Sequence, residues 1–170
     1  STDLASQVPP VPVGQHHVVA VEADHQRHSR PARGGQQHRR IGPEVRVQQR
    51  RLLVQESIFH PGHYRVALAR TMSQLPKDPE VTVVQSERGP RSQSAVIQNP
   101  PVAPVLLDGI FAHTEKPASP QTFDGMIPVP NINCPNCVLQ VIEFMAEHPG
   151  IAVDGGHSYH HCAILNITAD

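Results

Sequence analysis

The side chains in this chain best suited to hold a metal are concentrated at its C-terminal end. Cys134-Pro-Asn-Cys137 opens that stretch and Ser158-Tyr159-His160-His161-Cys162-Ala163 closes it. An earlier segment, Ile58-Phe59-His60-Pro61-Gly62-His63-Tyr64-Arg65-Val66, adds two imidazoles on either side of a proline–glycine pair. Thiolates and imidazoles are ligands for zinc and copper, and a tetragonal, nitrogen-rich set favours Cu(II). Together the two segments suggest a secreted β-sandwich carrying a histidine copper site.

Each group also has a plainer reading. Cys134, Cys137 and Cys162 are the disulfide candidates, and an odd count leaves one thiol over or a partner lost. A C-x2-C pair at the start of one strand, with a third cysteine at the start of another, allows a bridge between neighbouring strands, stabilising by about 2–4 kcal/mol. The alternative is zinc on Cys134, Cys137, Cys162 and one of His160 or His161. His60 and His63 flank a tight turn, and such a pair taken alone is more often surface turn chemistry than a site. His157, His160 and His161 lie near Tyr159. In a strand His160 and His161 point to opposite faces, so at most one joins any given centre.

The elements that must position these groups read as strands. Leu52 to Phe59 is a first strand, and the His60-Pro-Gly-His63 turn follows. Tyr64 to Ala69 alternates, with Tyr64, Val66 and Leu68 on one face. Val81–Val84 and Ser94–Ile97 are shorter candidates. Asn99 to Pro104 is a rigid connector, because proline cannot pair in a central strand. Gly109–His113 and Gly125–Val129 suit edge strands. Val138 to Met145 is the strongest apolar run, rich in β-branched and aromatic residues. It reads as a buried strand, with a helix as the lesser alternative. Ala163 to Thr168 closes the sheet. Eighteen prolines and no tryptophan fit short strands and many turns better than a helical bundle. Several short strands with turns between them predict an all-β antiparallel sandwich.

Length and charge bound the rest. A length of 170 residues predicts one domain, with or without a tail. A formal net charge of −1 argues against nucleic acid or an anionic membrane as partner. No apolar run is long enough to span a bilayer. Ser1 stands first without methionine, as expected where a leader has been removed.

Residues 1–51 differ in character from residues 52–170. They hold eight arginines, no lysine and no aromatic residue. Short strands are possible at Val18–Val21 and Val45–Val47, but such a composition buries little and is expected to pack loosely or stay disordered. It fits a basic, His-rich tail that binds metal or polyanion, or a GC-rich stretch translated out of frame. The abrupt change near Leu52 favours the second.

Cys134-Pro-Asn-Cys137-Val-Leu-Gln140, followed by Tyr159-His-His-Cys162-Ala163, resembles the C-terminal signature of lytic polysaccharide monooxygenases. Phe59-His60-Pro-Gly-His63-Tyr-Arg-Val-Ala-Leu68 resembles their internal metal-histidine strand. The nearest likeness is to the polysaccharide-monooxygenase-like proteins typical of myxobacteria and other bacteria. It covers roughly Leu52 to Asp170, including Glu87-Arg-Gly-Pro90 and Ile97-Gln-Asn-Pro-Pro101. The resemblance implies an immunoglobulin- or fibronectin-III-like sandwich and a copper enzyme that oxidatively breaks polysaccharide chains. It implies a histidine brace built from the mature N-terminal histidine and an internal one. His60 would be the internal ligand, with His63 as the alternative, and Tyr159 would be the axial aromatic. The expected partner is a polysaccharide surface, and the protein is expected to be a secreted or periplasmic monomer.

This chain departs from that pattern. Residue 1 is serine, so two of the three brace nitrogens are missing. No cysteine precedes Cys134, and Ile164 stands where the relatives have aspartate. His16 and His17 are imidazoles near the start, but neither carries a free amine. The chain as written is therefore expected to be impaired, and a non-catalytic copper- or carbohydrate-binding sandwich is the alternative. Both readings require His60, or His63, to lie beside Tyr159.

Overall fold

The computed structural model describes residues 17–23, 46–146 and 158–169. Nine strands run through them: β1 His17–Ala23, β2 Val47–Glu56, β3 Gly62–Ala69, β4 Val81–Ser86, β5 Gly89–Ala95, β6 Val105–His113, β7 Gln121–Pro130, β8 Cys134–Met145 and β9 Ser158–Ile167. They form a three-stranded sheet in the order β1-β2-β7, a four-stranded sheet β6-β3-β8-β9 and a hairpin β4-β5. Every pairing is antiparallel.

The two larger sheets share one buried cluster. Leu52 and Val54 of β2 and Phe123, Ile127 and Val129 of β7 meet Tyr64, Val66 and Leu68 of β3 and Leu139 and Val141 of β8. Side chains from two sheets filling a common layer make this an antiparallel β-sandwich. Tyr64, Val66 and Leu68 line the core together, as their spacing predicts. Val138–Met145 is strand rather than helix, and Gly109–His113 and Gly125–Val129 fall within sheet-edge strands.

The change in composition near Leu52 does not interrupt the sheet. β2 starts at Val47 and pairs with β7 along its whole length, from Val47 opposite Pro130 to Glu56 opposite Gln121. β1, within the first fifty-one residues, pairs with β2. Val47-Gln-Gln-Arg-Arg51 has little apolar alternation, and polar contacts serve instead. The Gln48 amide donates to Asn131 Oδ1 at 2.6 Å and to the Thr168 carbonyl at 2.9 Å. Arg51 forks onto Asp124 at 3.0 and 2.7 Å.

Of the three candidate cysteines, the two within β8 pair, and the inter-strand bridge that the spacing allows does not form. Cys134 and Cys137 are bonded to each other, with Cα atoms 5.7 Å apart, and Cys162 is an exposed free thiol. The register of β8 against β9 shifts between the two bonded residues, and Asn136 sits in the left-handed region at φ 63°. That irregularity lets both sulfurs face the core. Cys162 lies opposite Gln140 on the outward side of β9. The disulfide therefore closes only a short loop, worth about 2 kcal/mol on loop entropy, and joins no two strands. With two thiols in that bond, the three-cysteine zinc set is excluded.

Candidate metal centre

Strand periodicity carries two carboxylates into the core at one end of the sandwich. Leu52, Val54 and Glu56 occupy successive inward positions of β2, and Leu139, Val141 and Glu143 do the same on β8. All six are buried, Glu56 to 2% exposure and Glu143 to 0%. Glu143 lies in register between Tyr64 of β3 and Tyr159 of β9, so the three form a row across the sheet.

The loop 57–61 leads from β2 in one sheet to β3 in the other and brings His60 to the same end. The backbone N–H of His60 donates to Glu56 Oε1 at 2.7 Å. His113, at the end of β6, holds the loop from the other side. Its Nε2 lies 2.7 Å from the His60 carbonyl and its Nδ1 2.8 Å from the Phe111 carbonyl. Nε2 is also 3.4 Å from Glu56 Oε2.

His60 and Tyr159 meet here, 99 positions apart in sequence, with ring centroids 5.4 Å apart and planes tilted by 56°. Glu56, His60 and Glu143 each offer one ligand atom, and these lie within 4.8 Å of one another. Burial, with the neighbouring Glu143 charge, raises the Glu56 carboxyl above the usual carboxylate range, although the His60 N–H opposes the rise. Burial likewise raises the Tyr64 phenol, and the Glu143 and Glu56 charges add to the shift. A small pocket opens beside Glu56, lined also by Ser57, Phe59, Lys116 and Gln121.

His63 falls outside this group. It pairs with Phe144 in the adjacent row of β3 and β8, on the face of β3 away from Tyr64, and its ring lies 5.4 Å from that of Phe144. His160 faces solvent and meets Asp78 at 2.7 Å, whereas His161 takes the alternate, partly buried position of β9. Ser1, His16 and His157 lie outside the described residues. Sequence reasoning named His60 and Tyr159 but missed Glu56, Glu143 and His113. Period-two alternation pointed to both glutamates. Nothing local pointed to His113.

Burial lowers the pKa of His63 below its ordinary 6.5. The folded chain then binds fewer protons there than the unfolded chain. The corresponding stability is full above pH 6.5 and is lost as pH falls through that value toward the lowered one. Urea midpoints measured downward from neutral pH should fall, and His63→Leu should remove part of that slope. An identical slope in the variant would refute the assignment.

No family model, curated protein or solved structure matches this chain.

Proposed function

We propose that this chain is a polysaccharide-monooxygenase-like sandwich of the immunoglobulin or fibronectin-III kind, secreted and monomeric, with a copper ion bound at His60 beside Tyr159. The observation that carries the reading is the contact of those two rings, which the sequence motifs required and which neither segment specifies alone. Copper would supply oxidative chemistry toward a polysaccharide when bound. The chain's own residues have simpler roles. His60 offers a nitrogen, Tyr159 packs against its ring, and Glu56 and His113 fix the backbone on either side of it.

The donor set departs from the brace that the motifs imply. The described cluster supplies one imidazole and two carboxylates, not three nitrogens. That observation favours the second reading, a sandwich that binds copper or carbohydrate without turnover. Cupric titration followed by electron spin resonance tests the site. His60→Ala should abolish the bound-copper signal, and an unchanged spectrum removes the assignment. Ascorbate-driven release of oxidised sugars separates enzyme from binder.

A further inference from the structure

We propose that Glu56, His60 and Glu143 form a centre for a divalent first-row cation of the zinc type, held through one imidazole and two carboxylates. The proposal shares His60 with the copper reading but not its nitrogen-rich donor set.

Geometry is the first support. Three ligand atoms from three separate elements, the end of β2, the following loop and the C-terminal part of β8, lie within 4.8 Å of one another. Two donors of a bound ion are typically ~3–3.5 Å apart for ligand distances near 2.0–2.2 Å. Closing the group around an ion therefore asks for small side-chain rotations, not for movement of strands.

Burial is the second. Two carboxyls are enclosed together at 2% and 0% exposure. Enclosed negative charge is costly unless it is paired or coordinates a metal. Glu56 Oε1 accepts from the His60 N–H, while Oε2 is buried, lies 3.4 Å from His113 Nε2 and accepts no hydrogen bond among the described residues. An enclosed acceptor aimed into a cluster of other donors is what a cation would satisfy.

The donor types are the third. One imidazole with two carboxylates suits borderline divalent ions, and three protein ligands leave a position for water. A pocket lined by Ser57 and Phe59 abuts Glu56, one of the three ligands.

Isothermal titration of the metal-depleted full chain with Zn(II), and visible absorption after addition of Co(II), test the proposal. One equivalent should bind, with a Co(II) spectrum of low coordination number. Glu143→Gln keeps the shape of the core and His60→Ala alters a partly exposed loop residue. Loss of even an outer-shell partner typically costs 10–100-fold in affinity, so each variant should weaken binding by about tenfold or more. Circular dichroism establishes that both are folded. His160→Ala, at an outward position, should bind as the parent does. Undiminished Zn(II) binding in both folded variants, or no binding by the parent, overturns the proposal. With Cu(II), hyperfine coupling to one nitrogen supports it and coupling to three overturns it in favour of the brace. Failure to release oxidised sugars while Zn(II) still binds sinks the copper-enzyme reading and leaves this centre standing.

Discussion

Asp108→Ala is expected to lower the free energy of unfolding by about 3–5 kcal/mol in urea denaturation, because it leaves Arg65 as an uncompensated buried charge. Arg65 and Asp108 have side chains exposed to only 4% and 1%. Arg65 sits on the face of β3 opposite Tyr64, where Asp108 Oδ2 accepts from its Nε at 3.0 Å and its Nη2 at 2.8 Å. The same carboxylate accepts from the backbone N–H groups of Gln98 and Gly109 at 3.0 and 2.9 Å. One side chain thus ties β3 and β6 to the connector that follows β5. Losing a buried partner costs far more than losing an exposed one, since exposed pairs contribute about 0–1 kcal/mol. Arg51 and Asp124, roughly half exposed, provide the internal comparison. The double change Arg65→Met with Asp108→Leu should recover much of the loss, because the buried charge is then removed altogether. A loss below about 1 kcal/mol in Asp108→Ala would show the pair to behave like an exposed one.

Gly62→Ala is the second large effect. A Cβ built at Gly62 would lie 1.8 Å from the Phe144 carbonyl oxygen and 2.9 Å from its carbonyl carbon. Both atoms are backbone, so no side-chain rotation relieves the clash. Gly62 pairs with Met145 on one side and with His113 on the other, while the Ala146 N–H donates to the Pro61 carbonyl at 2.6 Å. Forcing β3 away from β8 at this point separates the loop carrying His60 from Glu143. Overpacking usually costs 1–3 kcal/mol, and a backbone clash belongs at the top of that range, so a loss of about 3 kcal/mol or more is expected. Any metal affinity of the cluster should fall with it. A variant with parental stability and parental metal binding would show that the two strands do not need this close approach.

The glycine also shows how far the sequence could be read. Pro61-Gly62 was legible as turn punctuation, but its real use, close passage of β3 over β8, depends on which strand becomes the neighbour. Tyr64, Val66 and Leu68 disclosed their shared face by spacing alone, and Val138–Met145 disclosed a buried strand by composition. The start of β2 was obscured because its hold on β7 depends on a ladder and on polar contacts of Gln48 and Arg51, neither of which leaves an apolar pattern. Glu56 and Glu143 were visible as the polar members of otherwise apolar rows. Their meeting depends on two strands placed in different sheets, and no local rule specifies that. His113 comes from a strand fifty-three residues beyond His60 and has no local signal at all. The cysteine pairing stayed open in the sequence because the bulge that joins Cys134 to Cys137 is a property of the β8–β9 register.

Strand order has a last consequence for the cluster. Glu56 belongs to the middle strand of its sheet and Glu143 to an inner strand of the other, each flanked on both sides by hydrogen-bonded neighbours. His60 rides on a connecting loop, and Tyr159 on a border strand. Segments with fewer ladder bonds open at lower free energy than interior ones. An ion entering the proposed centre would therefore meet two acids on well-laddered strands and two rings on less-laddered segments, so accommodation to ions of different radius would fall to the rings.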